Sequence, residues 1–150
     1  MEVKENIARF RLTTNKTEFP LEKITSAHSA QRFIRQFYMD DIEIFESAFI
    51  LLLDRSNHTI GYAKISQGGV AGTVVDVKIV AKYAVDSLAS GVILCHNHPS
   101  GNLVASEQDL KLTAKIKAAL SLLDIQLHDH IILTSTAYNS LADSGDLAGM

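Results

Sequence analysis

The apolar positions change their period several times along the chain, and each change marks an element. From Ser26 onward Ala30, Phe33, Ile34 and Phe37 recur at helical spacing, with Gln31, Arg32 and Arg35 on the other side. This predicts an amphipathic helix that ends near Met39-Asp40-Asp41 and needs an apolar surface to cover. The run Ala48-Phe49-Ile50-Leu51-Leu52-Leu53 is too short for a second helix and lacks polar alternation, so Phe45 to Asp54 is predicted as a strand buried on both faces. Arg55-Ser56-Asn57-His58 reads as a turn, and Thr59 to Ser66 as the antiparallel return. A loop from Gln67 to Thr73, broken by Gly68-Gly69 and Gly72, precedes Asp76, which stands as an N-cap before Val77, Val80, Ala84 and Leu88; a second helix should run to about Ala89.

Gly91 to His96 is an apolar run that empties into Asn97-His98-Pro99-Ser100-Gly101-Asn102, the pattern of a central strand ending in a polar loop. Ser106 opens a third helix through about Leu123, with Leu112, Ile116, Ala119, Leu120 and Leu123 on one face. Ile125 to Leu133 is a further strand, and the tail from Ser135 is a short cap or loop. Residues 1–24 are patterned loosely: Phe10, Leu12, Phe19, Leu21 and Ile24 surround a turn at Thr13-Thr14-Asn15-Lys16, which suits an edge strand or irregular packing. The order of elements predicts an α/β fold, a mixed central sheet flanked by helices. Residues 1–40 then form a lead-in and a helix packing on the domain of residues 41–150.

Composition narrows the function. The 150 residues are 47% hydrophobic and 21% charged, enough for one buried core. Fourteen basic against seventeen acidic side chains leave a formal net charge of −3, so charge does not support nucleic-acid binding. No run approaches the roughly 20 apolar residues of a membrane span. The polar start Met1-Glu2-Val3-Lys4-Glu5 lacks the core of a signal peptide and the single Cys95 has no disulfide partner, so the expected compartment is the cytoplasm.

The chemistry gathers where the central strand stops. His96 and His98 lie two apart, so the period of a strand projects both to one side. Asp109 follows in the first turn of the next helix, and the intervening loop is long enough to fold that turn over the strand end. Two imidazoles, one carboxylate and an open fourth position are the donor set of catalytic zinc, which makes water a nucleophile at neutral pH. A proton shuttle is still needed, and Glu46, Glu43 and Asp41 compete for it; Glu46 stands at the strand start, before Ser47 and then hydrocarbon to Leu53. Ser106 reads two ways, as a donor to a developing oxyanion or as the first residue of an S-x-x-D capping box with Asp109. Cys95 alternates to the face opposite His96, as a small buried thiol. His128-Asp129-His130 repeats the H-x-H spacing without a third ligand and reads as a hydrogen-bonded segment or a support for the ligands. His28 and His58 read as surface or helix-edge residues.

His96-Asn97-His98-Pro99-Ser100-Gly101, with Ser106 and Asp109, resembles the H-x-H-P-S-G-x-x-x-P-S-x-x-D pattern of the JAB/MPN (JAMM) metalloproteins, and among them the RadC-like proteins. The resemblance covers about residues 40 to 142, taking in Glu46, Ile65-Ser66-Gln67-Gly68, Asp129-His130-Ile131-Ile132, Tyr138 and Ser140. It implies a deaminase-like α/β sandwich, with His96, His98 and Asp109 as zinc ligands, Glu46 as general acid/base and Ser106 as oxyanion partner. It makes residues 41–150 a RadC-like JAB/MPN domain. The implied activity is hydrolysis of an amide or isopeptide bond in a peptide or protein substrate. Ala105 stands where the pattern has proline, which removes no donor. Longer RadC-like chains carry an N-terminal helix-hairpin-helix region, and only about forty residues precede the matching part here, so direct DNA binding is not expected. The other readings are a DNA-repair-associated factor or an interaction module whose metal is structural or vestigial. A nucleobase deaminase ranks last, since its cysteine pair and H-x-E arrangement are missing.

Overall fold

Two strands that are apolar at every core position make sense only if both of their faces are covered, and the computed structural model places them at the centre of one sheet. It describes residues 4–11, 13–38, 41–68 and 74–150. The helix α1 (Ala27–Ile34) precedes the hairpin of β1 (Ser47–Leu53) and β2 (Thr59–Gln67); then come α2 (Val77–Asp86), β3 (Gly91–Asn97), α3 (Glu107–Ser121), β4 (Gln126–Leu133) and β5 (Tyr138–Ser140). The sheet order is β2-β1-β3-β4-β5. Only β3 and β4 run parallel, joined by the crossover through α3, so the sheet is mixed. No helix among the described residues is long and apolar enough to cross a membrane.

Alternation sorts the buried strand residues into two layers. Ala48, Ile50, Leu52, Val92 and Leu94 pack with Val80, Ala84, Ile116 and Leu120 from α2 and α3. Phe49, Leu51, Leu53, Ile93, Cys95, Ile131 and Leu133 face Ala30, Phe33, Ile34 and Phe37 on the side of α1. Burial, more than propensity, makes α2 a helix. Its Val77, Ile79, Val80 and Val85 are mediocre helix formers, but the penalty of a few tenths of a kcal/mol each is small beside about 1.5–3 kcal/mol for burying one aliphatic side chain. Asp76 caps it by accepting from the Lys78 amide.

Several boundaries differ from the sequence expectation. The first helix stops at Ile34 and tightens into a 3-10 turn at Arg35–Phe37. Tyr38 is extended, which brings its hydroxyl to donate to the Ser47 carbonyl at 2.7 Å. The expected end at Met39-Asp40, like Leu12 and residues 69–73 of the glycine loop, lies outside the described residues. The second helix ends at Asp86, short of Ala89, because Leu88 takes the left-handed conformation (φ 55°) and the Ala89 amide turns back to the Ala84 carbonyl. The tail, read as a cap or loop, contributes β5, whose Ser140 pairs with Ile131. At the other end residues 4–11 and 13–18 are exposed, with no strand among them; the bridge of Lys23 with His58 and hydrogen bonds of Glu22 with Thr59 and of Ile24 with Asn57 tie the segment that follows to the hairpin.

Candidate metal centre

The C-terminal end of β3 carries its side chains alternately into the two layers. His96, 5% exposed, points to the side of α2 and α3, while Cys95 and Asn97 are fully buried on the other. Pro99, Ser100 and Gly101 turn the chain back, Gly101 with a φ of 86° that favours glycine, and the Asn102 carbonyl reaches His98 Nδ1 at 2.7 Å. That carbonyl only accepts, so His98 carries a proton on Nδ1 and turns Nε2 to His96. The two Nε2 atoms lie 2.8 Å apart.

Asp109 arrives from α3. Ser106 Oγ accepts from the Asp109 amide at 3.0 Å, and Asp109 Oδ2 accepts from the Ser106 amide at 2.8 Å. The capping box therefore exists, and it is what holds the carboxylate over the strand end: Asp109 Oδ1 is 3.4 Å from His96 Nε2, and Oδ2 is 3.4 Å from His98 Nε2. Cap and candidate ligand are one arrangement. Glu46 completes the ring, with Oε1 3.7 Å from His96 Nε2, and the donor atoms of Glu46, His96 and His98 all lie within 4.8 Å of one another. Glu46, His96, Asp109 and His130 share with Ala48, Val75, Leu94 and Leu112 a cavity of about 30 Å³, more than one water needs. A larger cavity, about 710 Å³, opens at the opposite end of the sheet near Arg55, Lys117 and His128, and none of these donors lines it.

The donor set fits a divalent cation. Tetrahedral ligands at 2.0–2.1 Å stand roughly 3.3–3.4 Å from one another, the spacing of Asp109 from both imidazoles; the two rings need to part by roughly half an ångström. Charge follows the same geometry. The hydrogen bond to Asp109 raises the His98 pKa, outweighing burial. Burial pushes the Asp109 carboxyl up, but the adjacent imidazoles of His96 and His98 and the Ser106 amide hold it far below the usual carboxylate range. Across the sheet, burial pushes the Cys95 thiol to about 12, which leaves it inert.

Three residues brace the ring from behind. Asn97 accepts from the Ser47 amide at 2.8 Å and donates to the Ile42 and Phe45 carbonyls at 2.6 and 2.8 Å, locking the segment that carries Glu46 onto the strand that carries the histidines. His130 Nε2 meets His96 Nδ1 at 2.7 Å, and Thr113 Oγ1 meets His130 Nδ1 at 2.5 Å. Burial lowers the His130 pKa well below its ordinary value. The H-x-H echo at 128–130 thus divides: His130 supports His96, while Asp129 on the opposite face accepts from Ser140 Oγ and the Ala142 amide. Asn97 and Thr113 were not singled out from sequence; Thr113 had a signal, standing one helical turn after Asp109.

A model of the RadC-like JAB domain matches residues 24–146. The chain is 45% identical to a UPF0758 protein of Flavobacterium johnsoniae and 42% to one of Porphyromonas gingivalis, each over 125 residues, 83% of this chain and 54% of the relative. A UPF0758 protein of Neisseria meningitidis is 36% identical over 103 residues, 69% of this chain and 46% of the relative. The chain spans about half the length of the curated relatives it matches.

Proposed function

Since the chain belongs to the RadC-like JAB domain family, we propose that its site is a zinc centre that hydrolyses amide or isopeptide bonds in a peptide or protein substrate. The observation that carries this reading is the convergence of His96, His98 and Asp109, drawn from a strand, a loop and a helix, beside a second carboxylate. His96 Nε2, His98 Nε2 and the Asp109 carboxylate are the ligands, because Asp109 touches both imidazoles whereas Glu46 touches only His96, and at longer range. Two imidazoles and a carboxylate suit zinc. Bound there, the ion supplies Lewis acidity to a carbonyl oxygen and to water.

The remaining steps belong to side chains. Glu46, its side chain 18% exposed at the cavity mouth, takes a proton from the attacking water and returns it to the departing amine. Ser106 Oγ accepts from the Asp109 amide, which leaves its own proton free to donate to an oxygen that gains charge. The N-terminus of α3, which Ser106 opens, adds a favourable field.

The test compares metal content and activity. Wild type should hold one zinc, and His96→Ala, His98→Ala and Asp109→Ala should lose it. Glu46→Gln should keep the metal and lose about 100-fold or more of the activity against a peptide and isopeptide library. Equal turnover by Glu46→Gln and wild type, or metal held with no cleavage by either, would sink the catalytic reading and leave a metal-braced binding module.

A further inference from the structure

We propose that His130, backed by Thr113, is a positioning residue that fixes His96 in its Nδ1–H tautomer and so keeps the Nε2 lone pair turned toward Glu46, His98 and Asp109. Donor and acceptor chemistry sets the direction of every bond in the chain. Thr113 Oγ1 lies 2.6 Å from the Asp109 carbonyl, which can only accept, so the one hydroxyl proton points there. The Thr113 oxygen is thereby an acceptor for His130 Nδ1–H. The His130 ring is 1% exposed, with Thr113 and His96 as its hydrogen-bond partners, and a buried imidazole in neutral contacts carries a single proton. That proton is on Nδ1, so Nε2 accepts from His96 Nδ1–H, and in the neutral His96 ring, the form that binds a metal, Nε2 is left bare.

The tautomer so imposed is the one that a neutral histidine in water favours less, and it is the one a metal ligand bound through Nε2 requires. The chain ends on the backbone of Asp109, so two candidate ligands from different elements are tied through a third. His130 pairs with Leu94 in the parallel β3–β4 ladder, two residues before His96, and Thr113 stands one turn along α3 from Asp109. Movement of the His96 ring would break bonds in a largely buried circuit. The consequence for metal affinity rests on the zinc reading above; the tautomer does not.

Two measurements test this on the full chain. With chelator present, nitrogen NMR of the ring should find His96 protonated on Nδ1 in wild type and shifted toward Nε2–H in His130→Leu. In competition with a chromophoric chelator, Zn²⁺ should bind His130→Leu about 10–100-fold more weakly than wild type, and His130→Gln, whose amide can accept where Nε2 stood, should recover to within about threefold. If His130→Leu fails to fold by circular dichroism, Thr113→Val carries the same test, because it removes the acceptor that orients His130. Wild-type His96 protonated on Nε2, or Zn²⁺ affinity unchanged in whichever of these variants folds, would overturn the proposal. A wild type that shows the Nδ1–H signature yet binds no Zn²⁺ supports the positioning and overturns only the zinc reading.

Discussion

At the scale of single residues, His98 and Asp109 make opposite demands on pH in the metal-free chain. The His98 pKa is raised above 6.5, so its contribution is fully present below 6.5 and is lost as pH rises through the raised folded value. The Asp109 pKa is depressed below 3.8, so its contribution is present above 3.8 and is lost only as pH falls through the depressed value. Taken as the difference between wild type and His98→Ala, the stability of the chelated protein should therefore fall as pH is raised from about 6 to about 8, a comparison in which the opposite effect of burying His128 and His130 cancels. Metal binding reverses that slope, because the ion competes with a proton for His98 Nε2. Melting curves with chelator and with zinc, taken across this range, should cross or converge at the acidic end; parallel curves would contradict the linkage.

At the scale of elements, the start of α3 joins stability to the site. Ser106→Ala removes an acceptor from the Asp109 amide and should cost about 1 kcal/mol, a typical loss for an N-cap. It should also loosen Asp109 and weaken metal binding, whereas Ser106→Thr, which keeps the cap oxygen, should preserve both. Denaturant titration and chelator competition read the two effects separately. A loss of stability with unchanged metal affinity would mean that the cap does not position the carboxylate. The start of β3 has a different constraint: a Cβ on Gly91 would collide with the His128 ring, so any other residue there would force that ring to move. Between α1 and the far end of the sheet, Arg35 donates to the Thr134 and Ala137 carbonyls at 2.8 and 2.9 Å, which explains why the helix tightens where it does.

Across the whole molecule, the candidate donors come from the segment before β1, from β3 and the loop after it, and from α3. A cation shared by these elements binds the folded chain and finds no such arrangement in the unfolded one. Zinc at 100 times its dissociation constant should therefore raise the unfolding free energy by about 2.7 kcal/mol. Asp109→Asn, which keeps the shape of the side chain, should lose most of that increment. An equal zinc-dependent rise in wild type and Asp109→Asn, measured by thermal unfolding, would place the ion elsewhere.

Much of this was legible in the order of residues, because periodicity and spacing are local properties. The apolar runs of β1 and β3, the amphipathic face of α1 and the H-x-H followed by S-x-x-D each depend on neighbours within a turn or two. Tertiary contacts decided what depends on distant partners. Arg35 and Tyr38 cut the first helix short by reaching Thr134, Ala137 and Ser47, and Ser140 became part of a strand by pairing with β4. Asn97, between two histidines, looked like a loop residue until its amide was found to clamp the backbone around Glu46. Which atom of His96 faces the other donors was likewise beyond the chain's local pattern. A tautomer is set by the hydrogen-bond partner on the far nitrogen, and here that partner lies on another strand.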